Sequence, residues 1–105
     1  MKRVAFKMKM KPGFKQEYIK RHNEIWPEIA NLIKRSGVSD YSIFLDEETN
    51  ILFGVQKVSG NLSSQDLGAV EIQQKWWDYM SDIMDTNPDD NSPVTVHLEE
   101  VFYLA

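Results

Sequence analysis

The first third of the chain changes from an alternating to a helical pattern of apolar residues. In "VAFKMKM" (4–10), apolar side chains occupy every second position, which predicts a β-strand. Pro12 and Gly13 then favour a turn. From Phe14 to Ser36 the apolar spacing becomes three or four residues, which predicts a helix. Its apolar stripe contains Phe14, Tyr18, His22, Ile25, Ile29 and Leu32.

Pro27 falls within this predicted helix. Proline has no backbone N–H and its ring clashes with the preceding turn. We therefore expect the helix to kink or restart between Asn23 and Trp26. Gly37 follows the last turn and is expected to cap the helix.

The remaining elements are a hairpin, a helix and a final strand. "DYSIFLD" (40–46) and "ILFGVQKV" (51–58) are predicted strands joined by "EETN", with Tyr41, Ile43 and Leu45 on one face. A second helix is expected to cover at least 72–84, with Val70, Gln73, Trp77, Met80 and Met84 in one line. After the loop "DTNPDDNSP", residues 94–104 are predicted to form the last strand.

The element order β-α-β-β-α-β predicts a ferredoxin-like α+β fold in a single domain, 1–105. Its four-stranded antiparallel sheet would carry both helices on one face. The other face is also rich in apolar residues. We therefore expect a second copy to pack sheet to sheet, giving a homodimer in the form of a dimeric α/β barrel.

Charge and composition narrow the functional classes. The chain has 105 residues, a net charge of −4 and no cysteine. Its lysines near the N-terminus alternate with apolar residues, which indicates a charged strand face and argues against a nucleic-acid partner. No apolar run is long enough for a membrane span, and no apolar signal core is seen. The absence of cysteine excludes thiolate catalysis and favours a cytoplasmic location.

His22 is the first candidate for chemistry, because it interrupts the apolar stripe one turn after Tyr18. A buried histidine that satisfies a backbone carbonyl is the commoner explanation. However, Pro27 disturbs the helix close by, and an imidazole titrates near neutral pH, which suits proton transfer.

Three aromatic residues are further candidates. Trp76 and Trp77 are adjacent on the predicted second helix and point about 100° apart, so we expect one in the core and one in a cleft. An indole face suits the C–H surface of a sugar ring. Tyr41 begins an inward-facing strand, and its hydroxyl needs a partner if it is buried.

Carboxylates could also take part. Glu24 and Glu28 lie four apart, which is more typical of a solvated helix face, whereas Glu100 intrudes on an apolar strand face. His97 and Glu99 share a strand face, but two ligands do not make a metal site. No phosphate-binding loop or nucleophile elbow is present.

A series of motifs spans nearly the whole chain and resembles the L-rhamnose mutarotase family. The motifs are "KRHNEIWPEI", "YSIFLD", "WWDYM", "NSPV" and "EEVFYL". The resemblance implies a dimeric, ferredoxin-like enzyme that interconverts the α and β anomers of L-rhamnose or a related sugar and needs no cofactor and no metal. It assigns the proton donor to His22. It assigns sugar binding to Tyr18, Tyr41, Trp76 and Trp77.

The resemblance leaves the general base unassigned. The chain differs from the family pattern at 63–70 and 87–93, and these differences bear on its sugar preference. Two alternative functions fit the same fold. One is a haem-degrading or quinol-type monooxygenase, for which Asn23, Trp76 and His22 would form the site. The other is a dimeric module that binds a small ligand without catalysis.

Overall fold

The computed structural model describes all residues, Met1–Ala105. The strands are β1 Lys2–Lys9, β2 Val38–Asp46, β3 Ile51–Val58 and β4 Val96–Leu98, and the helices are α1 Lys15–Asn23, α2 Pro27–Arg35 and α3 Glu71–Met80. All strand pairs are antiparallel, in the order β2-β3-β1-β4. This order, with helices packed on one face, confirms the predicted ferredoxin-like α+β fold.

The first predicted helix is two helices, α1 and α2, and Pro27 is the cause. Trp26 has an extended backbone (φ −61°, ψ 131°), as expected for a residue that precedes proline. Pro27 is then the first residue of α2, where its missing N–H costs nothing. Gly37 follows α2 with a φ of +92°, so both the predicted restart and the predicted glycine cap are confirmed.

The two sides of the sheet differ because side chains alternate along each strand. Phe6, Met8 and Leu52 point towards the helices and are buried in the main hydrophobic cluster. Tyr41, Ile43 and Leu45 of β2 pack against that cluster, as their spacing predicted. Phe44 lies on the opposite side and is exposed.

The last strand is much shorter than predicted. We expected residues 94–104, but β4 covers only Val96–Leu98 and pairs with Ala5–Lys7 of β1. The register places residue 100 opposite Arg3, and β1 begins at Lys2. Residues 99–101 thus lie opposite β1 without pairing to it, and residues 102–104 would lie beyond the end of β1, where there is no strand to pair with.

The second predicted helix also ends early, at Met80. Residues 81–83 form a turn that brings Met84 into a bridge with Met10 of the sheet. Before α3, a short 3-10 helix at Ser64–Asp66 lies in a predicted loop, and its first turn is capped by reciprocal hydrogen bonds between Ser63 and Asp66. No helix is long and apolar enough to cross a membrane.

Candidate active site

A cavity of about 390 Å³ lies between the helices and the inner face of the sheet. This volume is in the usual range for small-molecule sites. Its wall is mainly apolar, with polar side chains at a few positions. The five residues that the sequence proposed for the site all line it: Tyr18, His22, Tyr41, Trp76 and Trp77.

His22 is held by its own helix. Its Nδ1 lies 3.1 Å from the carbonyl oxygen of Tyr18, one turn earlier. Because a carbonyl can only accept, Nδ1 carries the hydrogen and donates it, so Nε2 is the nitrogen with a free lone pair. The imidazole stacks on the Tyr18 ring at 4.3 Å and meets the edge of Trp76 at 5.6 Å. These contacts fix both the tautomer and the orientation of the ring.

The surroundings of His22 favour its neutral form. Burial lowers the pKa of His22, and the hydrogen bond to the Tyr18 carbonyl opposes this only in part. At neutral pH the side chain is therefore an uncharged imidazole with one nitrogen ready to accept a proton. The satisfied-carbonyl explanation and the catalytic one are thus both compatible with this geometry, since they use different ring nitrogens.

Tyr18 and Tyr41 bring two phenols to the same cavity. Burial raises the pKa of Tyr18, and the nearby Tyr41 adds to that rise. Burial also raises the pKa of Tyr41, while hydrogen bonding with Ser64 and Gln65 opposes it. Both hydroxyls therefore stay protonated at neutral pH and can donate hydrogen bonds to a ligand.

The two tryptophans are both buried and both line the cavity. Trp76 meets Trp26 edge-on at 5.1 Å, and Trp77 packs directly over Gly68. The expected division into one core and one cleft tryptophan is therefore wrong. Two adjacent indoles reach one cavity because its wall extends around a wide arc of α3.

The candidate carboxylates lie elsewhere. Glu24, Glu28 and Glu99 are exposed. Glu100 accepts a hydrogen bond from Arg3 at 3.1 Å, which explains how a carboxylate is accommodated beside an apolar strand face. The titratable side chains that line the cavity are Tyr18, His22 and Tyr41. No three metal-ligating side chains come together in the chain.

The cavity also has polar residues that sequence reasoning did not propose. Gln73 of α3 lines it, as do Ser64, Gln65 and Asn91. Gln73 could have been found, because it interrupts an apolar helix line just as His22 does. Asn91 could not, because its loop is placed by tertiary contacts: its Nδ2 donates to Asp78 on α3 at 3.1 Å.

Comparison with known proteins identifies the family. The L-rhamnose mutarotase family model matches residues 3–104. L-rhamnose mutarotases from Bacteroides thetaiotaomicron and Formosa agariphila are each 62% identical over 104 residues, 99% of this chain and of theirs. A relative of the same name from Listeria monocytogenes is 51% identical over 105 residues, 100% of each chain.

A solved structure agrees over the full length. The crystal structure of L-rhamnose mutarotase from Formosa agariphila superposes with a TM-score of 0.92, at 58% identity and with 100% of both chains covered. The comparisons give no support to the monooxygenase alternative. Since the family match, the relatives and the fold all agree across the whole chain, this protein belongs to the L-rhamnose mutarotase family.

Proposed function

We propose that this protein interconverts the α and β anomers of L-rhamnose by opening the hemiacetal ring and closing it on the other face. The observation that carries the proposal is the state of His22 in the cavity. Its Nδ1–H is engaged by the Tyr18 carbonyl, which leaves Nε2 as a neutral proton acceptor between aromatic walls. The named activity of the relatives is the conversion that such a group can catalyse.

Ring opening moves one proton in each direction. A base removes the hydrogen of the anomeric hydroxyl, the C1–O5 bond breaks, and O5 receives a proton as the aldehyde forms. Closure reverses these steps after rotation about the C1–C2 bond, which exposes the other face of the carbonyl. Nothing is oxidised or reduced, so acid–base catalysis is sufficient.

His22 can serve both proton transfers. The anomeric oxygen and O5 are bonded to the same carbon, so one positioned Nε2 can accept the first proton and return it to the second oxygen. Because its pKa is lowered, His22 is neutral when the sugar binds and acts first as the base. The imidazolium that forms then acts as the acid. The donor role implied by the family resemblance becomes the second half of this cycle.

The other four residues would bind the sugar. The protonated hydroxyls of Tyr18 and Tyr41 are suited to donate hydrogen bonds to sugar oxygens. Trp76 and Trp77 offer apolar surface to the ring and to the C6 methyl group of rhamnose. The mainly apolar wall lowers the local dielectric and so strengthens each of these polar contacts.

We also propose that the protein is a homodimer, joined through the side of the sheet away from the helices. Strand pairing places Phe44 beside Phe53 and Val55 beside Ala5 on that side. Phe44 is 62% exposed and Val55 36%, and a contiguous exposed apolar patch of this kind marks an interaction surface. A second copy would cover this surface and close the barrel.

The C-terminal segment adds further exposed apolar side chains. Val101, Phe102 and Leu104 are each more than three-quarters exposed, at 90%, 78% and 80%. They follow β4, which lies at the sheet edge beside β1. We further propose a cytoplasmic location, since a chain without cysteine gains nothing from an oxidising compartment.

Saturation-transfer NMR between the two anomeric protons of L-rhamnose tests the proposed reaction. Addition of the protein should increase the exchange rate well above that of buffer. A protein that binds the sugar but leaves the exchange rate unchanged would be a binding module. Repeating the measurement with L-fucose, D-mannose and D-ribose would define the sugar preference.

A further inference from the structure

We propose that Gln73 selects the substrate by accepting a hydrogen bond from one of the three non-anomeric ring hydroxyls of the bound sugar. The inference rests on the proposed mutarotase function, because it takes the sugar as the occupant of the cavity. Gln73 is 3% exposed and lines that cavity. It lies on α3 one turn before Trp76 and Trp77, on the same wall.

The side-chain oxygen of Gln73 is the observation that points to a ligand. Oε1 is buried and has no hydrogen-bond partner, and no other buried side-chain nitrogen or oxygen in the chain is in this state. Burying an unpaired amide oxygen is costly, so native proteins usually satisfy such a group. The Gln73 side chain lines the cavity and no hydrogen bond fixes its amide, so a rotation of that amide would bring Oε1 to a hydroxyl of a bound molecule, which would supply the missing partner.

The other buried glutamine in the core provides a contrast. Gln56 donates from Nε2 to Ser64 Oγ at 2.8 Å and accepts at Oε1 from the Ser64 backbone N–H at 2.8 Å. Both ends of its amide are therefore satisfied by the protein, which explains it as a structural residue. Gln73 has no comparable explanation within the chain.

A glutamine in this position would act on selectivity. An apolar pocket hardly distinguishes sugars that differ by one hydroxyl, whereas a site that pairs with a hydroxyl rejects the analogue that lacks it. Tyr18 and Tyr41 can donate to sugar oxygens, so an acceptor on the α3 wall complements them. The amide oxygen requires a hydroxyl hydrogen from the ligand, which a methyl or methylene group cannot provide.

Gln73→Met, which keeps the side-chain length, tests the inference with four sugars. They are L-rhamnose and its three derivatives that lack the hydroxyl at C2, C3 or C4. We expect the variant to lose about tenfold in affinity and in kcat/KM with L-rhamnose, which is the scale of one hydrogen bond. With one deoxy sugar, wild type and variant should be equal, because the partner hydroxyl is already gone.

Stability distinguishes this role from a structural one. Removing an unpaired oxygen should leave the thermal midpoint of Gln73→Met unchanged or higher, whereas Gln56→Met should lower it because Ser64 loses its partners. If Oε1 instead bonds an ordered water, Gln73→Met should be less stable than the wild type, and its loss of affinity should be the same for all four sugars. That result would overturn the inference, as would full affinity for L-rhamnose in the variant.

Calorimetric measurement of sugar binding distinguishes failure of the proposed mutarotase function from failure of the proposed role of Gln73. If the wild type binds L-rhamnose but does not exchange its anomers, the mutarotase function fails, and the ratio of dissociation constants still decides the role of Gln73. If the wild type exchanges anomers and Gln73→Met is equal to it with every sugar, only the inference about Gln73 fails. A wild type that does not bind L-rhamnose would overturn both.

Discussion

The two sides of the sheet reverse the usual distribution of polar and apolar residues. On the side covered by helices, His22 and Gln73 bring polar groups into a largely apolar interior. On the open side, Phe44 and Val96 expose apolar groups to solvent. Each reversal is costly for an isolated protomer. The difference indicates what each side binds. The buried polar groups of the covered side are suited to a polar ligand, and the exposed apolar groups of the open side are suited to another protein surface.

The largest effect is expected on the covered side, from His22→Ala. The variant should fold, because it loses one hydrogen bond to the Tyr18 carbonyl and leaves no charge buried. Anomer exchange should fall by about 10²-fold or more, the scale of a positioned acid–base group. The exchange rate of His22→Gln should fall equally, since an amide can form hydrogen bonds but cannot accept and return the proton. Saturation-transfer NMR measures both rates.

His97→Ala is the matched control for this experiment. His97 is exposed on β4 and does not line the cavity, so exchange should remain normal. If His22→Ala retains exchange while folded, histidine is not the proton carrier. A rescue by glutamine would show that His22 acts only by satisfying the carbonyl.

The tryptophans test whether the wall of the cavity is also the core. Because Trp76 and Trp77 are both buried and both line the cavity, each change to alanine should cost about 3–5 kcal/mol of unfolding free energy and also weaken sugar binding. Trp26 contacts Trp76 but does not line the cavity. Trp26→Ala should therefore lower stability and largely retain affinity. Denaturant unfolding and calorimetry would separate these results, and a normal melting curve for Trp77→Ala would contradict its core role.

The open side is tested by Phe44→Asp. A carboxylate at this position would have to be desolvated in a sheet-to-sheet interface, so the dimer should dissociate to monomers at micromolar concentration. Light scattering measures the mass. Leu62→Asp provides the control, because Leu62 is also exposed and apolar but lies outside the sheet. A wild type that is monomeric would refute the predicted interface, and a dimeric Phe44→Asp would move it elsewhere.

The smallest effect is a pH dependence that comes from the covered side. Burial lowers the pKa of His22 below its ordinary value of about 6.5. As the starting base it must be neutral, so exchange should fall as the pH drops through this lowered pKa and remain high on the alkaline side. An obligatory starting acid would give the opposite profile.

Stability should follow the same titration. As the pH falls below about 6.5, the unfolded chain takes up a proton on His22 before the folded chain does. The wild type should therefore have its full unfolding free energy above that pH and lose part of it below. His22→Gln should not show the part of this loss that comes from His22. Equal pH dependence of unfolding in the two proteins would show that the His22 pKa is not lowered.

The sequence was a good guide where local rules apply. Pro27 and Gly37 set the two ends of α2. The ring of Pro27 fixes its own φ, and Gly37 adopts a positive φ, so both effects are local to the backbone of one residue. Alternation placed Tyr41 on the inner side of β2 for an equally local reason. His22 was singled out because it interrupts an apolar stripe and titrates near neutral pH, and it does line the cavity.

The predictions that failed depended on partners distant in sequence. Residues 99–104 have the pattern of a strand, but pairing with β1 stops at Leu98, and in the same register residues 102–104 would lie beyond the start of β1 at Lys2. Trp76 and Trp77 were separated by helical geometry alone, whereas the width of the cavity is set by every element around it. Gln73 has a visible position in the sequence, but its unpaired oxygen is a property of the packed interior.

The sequence by itself therefore determined the order of the elements, the faces of the strands and the family, because these follow from local backbone preferences and from motifs that span the chain. Only the tertiary structure decided that burial lowers the pKa of His22, which phenols stay protonated and which buried oxygen has no partner. These properties depend on burial and on hydrogen bonds between residues that come together only when the chain folds.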